Sequence, residues 1–251
     1  MKIEFHYTYL IVALSFILTG YFSNLIIFTS ILLIHEIGHY SIAKLNNFEV
    51  DKIVIYPYGG ITKLKINLNA KINKELSVAI SGIIFQIVYY IIIIILYKNN
   101  LIREYIFNLF KTYHHSILIF NLIPVHPLDG SKILNLILSK ILPYKTTNKI
   151  TILISIISIL ILLKINYYHF NYTTILILSV IIDSIFKYYK ELNYLFNRFL
   201  LERYLYKQTY KKSKTISKID NMYKDKYHVI KRKNNYITEK QALSHRFKGK
   251  F

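Results

Sequence analysis

Residues 78–97 read VAISGIIFQIVYYIIIIILY, twenty positions with no charge and with five consecutive isoleucines. A helix of that length rises about 30 Å, the thickness of a bilayer's hydrocarbon core. A helix in a soluble core would keep a polar face, and this segment has none. The remaining apolar blocks must therefore be judged as further spans: Tyr7 to Thr19, Leu25 to Leu45, Thr112 to Leu142, Ile150 to Leu163 and Tyr172 to Phe186. Lys2 ahead of the first block gives it the look of a signal peptide, but no small-residue cleavage site follows, so it reads as a mature helix. The expectation is an all-α polytopic membrane protein of about six transmembrane helices. Its fourth helix is broken at residues 121–130, NLIPVHPLDG.

Charge orients these spans. Of 33 Lys and Arg, one precedes the first block, six lie between Lys44 and Lys74, four between Lys132 and Lys149, and 18 follow Phe186. Those regions share one side of a six-span arrangement; only Lys98, Arg103, Lys111 and Lys164 fall on the other. Positive charge stays in the cytosol, which places both termini there. Residues 1–190 are then a transmembrane domain and 191–251 a basic cytosolic tail. The 18 bases and five acids that follow Phe186, beside a membrane, point to anionic lipid as the tail's partner rather than to nucleic acid. The chain has no cysteine, which excludes thiolate metal sites, a cysteine nucleophile and disulfides.

Within the second block stands HEIGH, residues 35–39. Residues four apart project from one helix face, so His35 and His39 can hold one zinc ion, with Glu36 beside it as the catalytic base. Ionisable groups persist in an apolar helix when they pair, ligate or line a hydrated cavity. The plainer reading has both histidines bonded to neighbouring carbonyls. A hydrolytic zinc site wants three protein ligands and an open position, and Asp129 is the outstanding third candidate, the one acid between Glu104 and Asp183. It lies where Asn121, Pro124, Pro127 and Gly130 interrupt the helix. Irregular backbone at membrane depth is tolerated where it is buried by protein or lines a wet cavity. The plainer reading there is a proline-kinked helix with a snorkelling aspartate.

HEIGH followed about 90 residues later by NLIPVHPLDG resembles the site-2 protease family of intramembrane zinc metalloproteases. The resemblance implies His35, His39 and Asp129 as zinc ligands, Glu36 as base, and Asn121 as a substrate contact. YPYGGITKLK, residues 56–65, is similar to the family's glycine-bearing membrane-associated loop, so a short loop or hairpin is expected there. Gly59, Gly60 and the break holding Asn121 and Pro124 would offer an edge to extended substrate. SGIIFQI, residues 81–87, resembles the family's A-G-P-x-x-N segment, with Ile83 and Gln86 in place of proline and asparagine.

The zinc helix is second, and no insertion the size of a PDZ domain separates the motifs. This arrangement resembles the compact six-span branch that processes a sporulation sigma-factor precursor, pro-sigma-K. That likeness implies a membrane-associated protein substrate, inhibitory membrane partners and, in a spore-former, the membrane around the forespore. The abundance of Ile, Lys, Asn and Tyr fits an AT-rich bacterial genome. Another membrane-anchored regulator, such as an anti-sigma factor, is the alternative substrate. A metal- or proton-coupled transporter and a silent scaffold are the rival classes.

In the tail, residues 187–206 have the pattern of an amphipathic interfacial helix. Residues 227–243 read as strand, Asn-Asn turn, strand and helix start, which resembles half of the nucleotide-sensing CBS domain that relatives in this branch often carry here, a truncated unit because about 45 residues are too few for the usual pair; a disordered tail is the other reading. Among single residues, His126 is expected to pack or touch substrate, Asp183 to pair with Lys187, and His114 and His115 to be solvated.

Overall fold

The computed structural model describes residues 2–56, 59–65, 67–165, 172–206, 209–210, 212–232 and 235–248. The chain forms two compact units, Met1–Ile66 with Ser77–Ile123, and Asn67–Leu76 with Pro124–Phe251.

In the first unit, strand β1 (Ile3–Phe5) leads into helices α1 (Tyr7–Leu18) and α2 (Phe22–Leu45). A hairpin follows, β2 (Glu49–Tyr56) and β3 (Gly59–Lys65), then α3 (Ile72–Lys98), whose first turn belongs to the second unit, and α4 (Glu104–Leu122). β1 lies parallel to β2 with Ile3 opposite Ile53, and β2 runs antiparallel to β3 with Tyr56 opposite Gly59. As the central strand, β2 buries Ile53, Val54 and Ile55 in succession rather than alternating. α2 packs on this sheet and on α4, and Ile31, Leu32, Ile53 and Ile55 of their shared core are at most 2 % exposed. α2 and α3 meet at Gly38, where a Cβ would stand 2.7 Å from the Ser81 carbonyl oxygen. Glycine in a helix interior costs about 1 kcal/mol, but small residues let membrane helices approach closely.

The outward face of α3 carries exposed Ile84, Ile87, Val88, Ile91, Ile92 and Ile95, a surface suited to lipid. Among the described residues, three helices are long and apolar enough to cross a membrane: α2, α3 and Tyr144–Lys164. α1, with 12 residues, rises about 18 Å and falls short of the hydrocarbon thickness.

The second unit holds α5 (Asp129–Ser139), α6 (Tyr144–Ile165) and α7 (Tyr172–Leu205). Facing residues of α5 and α6 are polar at helical spacing. Asn135 Nδ2 donates to Asn148 Oδ1 and Thr151 Oγ1 at 2.8 and 3.0 Å, and Tyr188 of α7 donates to the same Asn148 oxygen at 2.9 Å. Such bonds join helices in an environment that offers polar groups few other partners. The 34-residue α7 continues the apolar stretch ending at Phe186 through the amphipathic stretch that follows, so the expected boundary at residue 190 lies inside one helix.

Beyond it come β4 (Ser213–Ile216), a 3₁₀ turn (Ile219–Asn221), β5 (Tyr227–Arg232), β6 (Asn235–Thr238) and α8 (Glu239–Lys248). β4 pairs parallel to β5, and β5 antiparallel to β6. Strand, strand and helix stand where residues 227–243 suggested; Lys233 and Asn234 of the turn lie outside the described residues. Phe199, Leu200, Met222 and Leu243 are fully buried together, so the tail carries its own core on the end of α7. The two sheets depart from the all-α expectation. β1 pairs with β2 across some fifty residues of sequence, and local periodicity carries no signal of such pairing.

A buried polar group fixes this tail module. The Arg203 guanidinium donates to the carbonyls of Tyr223, Lys224 and Lys226 and lies 3.3 Å from Glu239 Oε1. The other Glu239 oxygen stands 3.1 Å from His228 Nδ1, and His228 Nε2 accepts the Tyr223 N–H. Removing one partner of such a cluster strands the others without water. Arg203→Ala is expected to destabilise the module by about 3–5 kcal/mol, read as faster proteolysis of the tail in the full-length protein. Burial holds His228 below the ordinary imidazole range, against the opposing pull of Glu239. The folded module then binds this proton less readily than the unfolded chain. Its contribution is present above the ordinary pKa of about 6.5 and is lost as pH falls below it, a dependence His228→Gln should flatten.

Candidate active site

His35, Glu36 and His39 are buried on α2, with ligand atoms within 4.8 Å of one another. Each imidazole is oriented by an acceptor behind it. His39 Nδ1 lies 2.7 Å from the carbonyl oxygen of Val78, which can only accept, so Nδ1 carries the proton. His35 Nδ1 lies 3.2 Å from Gln86 Oε1. The Gln86 amide nitrogen donates to the His114 carbonyl at 3.0 Å, which leaves its oxygen for His35 and assigns the Nδ1 proton there too.

Both Nε2 atoms consequently present lone pairs, and they face each other at 3.1 Å. Neither can donate to the other in that tautomer. Two nitrogens on one tetrahedral zinc ion at about 2.0–2.1 Å stand roughly 3.3 Å apart, close to the observed spacing. The donor set therefore fits a zinc ion, and the acceptors on the far ring nitrogens are the usual support of a metal-ligating histidine.

Two glycines keep room around the triad. A Cβ on Gly82 of α3 would stand 2.4 Å from His39 Nε2 and 2.7 Å from His35 Nε2. A Cβ on Gly60 of β3 would stand 2.6 Å from Glu36 Oε1. Glu36, 3 % exposed, accepts a hydrogen bond from Thr62 Oγ1 on its other oxygen, Oε2, at 2.6 Å. β3 thus lies against the carboxylate and fixes its rotamer through Thr62.

The expected residues are distributed as follows. His35, Glu36, His39 and Gly60 come together in the first unit, with Gly59 beside Gly60 at φ +153°. Asn121 is half-buried near the end of α4. Pro124 and Asp129 belong to the second unit, where α4 has ended and residues 123–128 lie outside helix. Asp129 is buried in the first turn of α5, where the helix dipole favours a carboxylate, and Lys132 Nζ is 2.9 Å from its Oδ1. The ring of His126 stacks on Tyr188 at 4.3 Å, and its backbone N–H donates to Ser155. Asp183 pairs with Lys187 at 2.6 Å, as expected of that exposed pair.

His114 departs from expectation: it is 3 % exposed rather than solvated, stacked on Tyr90 at 4.1 Å with its carbonyl holding Gln86. Sequence reading missed Thr62 and the tasks of Gln86 and Gly82. The one available signal was Gln86 itself, a polar side chain in an otherwise apolar span.

Peptidase family M50 matches residues 23–119 and 98–165 of this chain. Stage IV sporulation protein FB of Bacillus subtilis is 32 % identical over 209 residues, covering 81 % of this chain and 72 % of that protein. A zinc metalloprotease of Methanocaldococcus jannaschii is 31 % identical over 163 residues, covering 60 % of this chain and 46 % of its own length. The solved structure of a site-2 protease from Methanocaldococcus jannaschii superposes with a TM-score of 0.53 at 24 % identity, covering 84 % of this chain and 96 % of that one, which shows a common fold.

The chain belongs to peptidase family M50, the site-2 proteases. It is an integral membrane metalloprotease, and zinc is its cofactor. Gln86→Leu leaves His35 Nδ1 without its acceptor and should weaken zinc binding about 10–100-fold, measured by competition with a chelator. Glu36→Gln should keep zinc and lose proteolysis; an active Glu36→Gln enzyme would remove Glu36 from the role of base.

Proposed function

We propose that this protein hydrolyses a peptide bond of a membrane-associated protein within or beside the bilayer, and that its substrate is the pro-sequence of a sporulation sigma factor, pro-sigma-K. The observation that carries the chemistry is the opposed pair of Nε2 lone pairs with Glu36 next to them. The substrate class is supported by the likeness to stage IV sporulation protein FB over most of the chain.

His35 and His39 would hold the metal, with Asp129 as third ligand. That assignment is supported by a buried carboxylate at a helix N-terminus in a break of the backbone. Zinc supplies Lewis acidity, which polarises a carbonyl and makes water a better acid. Glu36 Oε1, the oxygen opposite the one Thr62 holds, takes the proton of the attacking water and passes it to the departing amide nitrogen. Gly60 brings β3 backbone beside that oxygen, so extended substrate can be positioned there by strand addition, with Gly59, Asn121 and Pro124 as further contacts.

A six-span arrangement with both termini cytosolic follows from the charge distribution, and the basic tail would rest on anionic lipid. Inhibitory membrane partners belong to the same reading. In a spore-former the enzyme would sit in the membrane around the forespore.

Co-expression with a tagged pro-sigma-K, scored by gel mobility, tests the substrate: wild type should process it and Glu36→Gln should not. Unprocessed precursor with a zinc-loaded wild type would exclude this substrate. Asp129→Ala should lower bound zinc by about 10-fold or more, measured by metal analysis of the purified protein. Unchanged zinc content would remove Asp129 from the ligand set.

A further inference from the structure

Gln86 is fully buried on α3, and both ends of its amide are committed: the oxygen to His35 Nδ1 at 3.2 Å, the nitrogen to the His114 carbonyl of α4 at 3.0 Å. The last torsion of a glutamine has two roughly equivalent settings, so the amide could in principle stand end for end. Reversed, it would present its NH2 to His35 Nδ1. His35 would then accept at Nδ1 and carry its proton on Nε2, the atom that faces His39, and would lose the lone pair a metal needs. The reversed amide would also set its oxygen against the His114 carbonyl oxygen. That repulsion excludes it as long as α4 keeps this carbonyl close.

A ring contact between the same two helices keeps it close. The His114 ring, 3 % exposed, stacks on Tyr90 with centroids 4.1 Å and planes 11° apart. Tyr90 follows Gln86 by four residues and shares its face of α3. Phe110, four residues before His114, extends the column and lies parallel to Tyr90 within 2° at 6.2 Å. His114 Nδ1 is 3.5 Å from the Gln86 nitrogen, too far to add much as an acceptor. We propose that His114 is a positioning residue for the zinc site: by stacking on Tyr90 it keeps its own carbonyl on Gln86, whose oxygen then holds the Nδ1 proton of His35. The ring supplies the stack and the backbone supplies the acceptor. This rests on the reading of His35 as a zinc ligand, and all four residues belong to the first unit.

The test uses full-length protein in detergent with isotope-labelled histidine and compares wild type, His114→Ala and His114→Phe. The tautomer of His35 is read from its nitrogen chemical shifts in zinc-stripped protein at alkaline pH, where imidazole is neutral, and His35→Ala identifies its signals. Wild type should show the Nδ1–H form. In His114→Ala the ratio should move on the order of tenfold towards Nε2–H, whereas His114→Phe, which keeps the stacked ring, should stay near wild type. Zinc affinity, by competition with a chelator, should fall about tenfold in His114→Ala and no further when that change is added to Gln86→Leu. An unchanged tautomer in His114→Ala overturns the proposal, as does an equal change in His114→Phe or an undiminished zinc effect in the Gln86→Leu background. Should His114→Ala lose the amide protection of α2, Tyr90→Leu, which removes the other ring and leaves α4 intact, is judged by the same criterion. Unchanged zinc affinity in His35→Ala counts against the ligand reading, whereas the tautomer decides this one.

Discussion

Two imidazole nitrogens facing each other at 3.1 Å on an apolar helix is an arrangement that fits a shared cation, and much of the first unit serves to maintain it. Val78 and Gln86 withdraw the Nδ1 protons, so the lone pairs point inward. Gly38 lets α3 close on α2, and Gly82 leaves a gap where any side chain would strike both rings. An α3 displaced by even a methyl group's width would lose both acceptors at once. The tolerance is narrow because packed interiors do not deform continuously.

Glu36, the base in the proposed reaction, is governed by a different element. Glu36 projects from the same helix as its histidines, but Thr62 and Gly60 of β3 decide how it is held. A helix delivers metal ligands in fixed geometry, while a strand offers a backbone edge to which an extended peptide can add. In the proposed reaction the two kinds of secondary structure would thereby divide the labour of binding metal and approaching substrate.

How much of this could be read in advance depended on whether the information was local. HEIGH states its geometry outright, since i and i+4 share a helix face whatever surrounds them. The apolar run at 78–97 likewise declares a spanning helix by length alone. Asp129 was conspicuous as a lone acid in a proline-broken stretch. His114, by contrast, was misjudged as solvated, because its burial is created by Tyr90 on another helix. Thr62 was invisible for the same reason: a threonine in a strand has many uses, and only the approach of α2 gives it this one. The tail's helix and strands showed in their pattern, whereas the buried cluster on Arg203 depends on three carbonyls brought together by the fold.

By itself the sequence determined that this chain enters a membrane, that His35 and His39 share one face of α2 with Glu36 beside them, and that positive charge gathers towards its C-terminal end. These follow from hydropathy, helical periodicity and composition, each a property of neighbouring residues. Tertiary structure alone decided the tautomers of His35 and His39, the hold of Thr62 on Glu36, the pairing of β1 with β2 and the hold of the His114 carbonyl on Gln86. Each joins residues that are distant in sequence, and hydrogen bonds reach only about 3 Å, so nothing but the folded backbone could specify them.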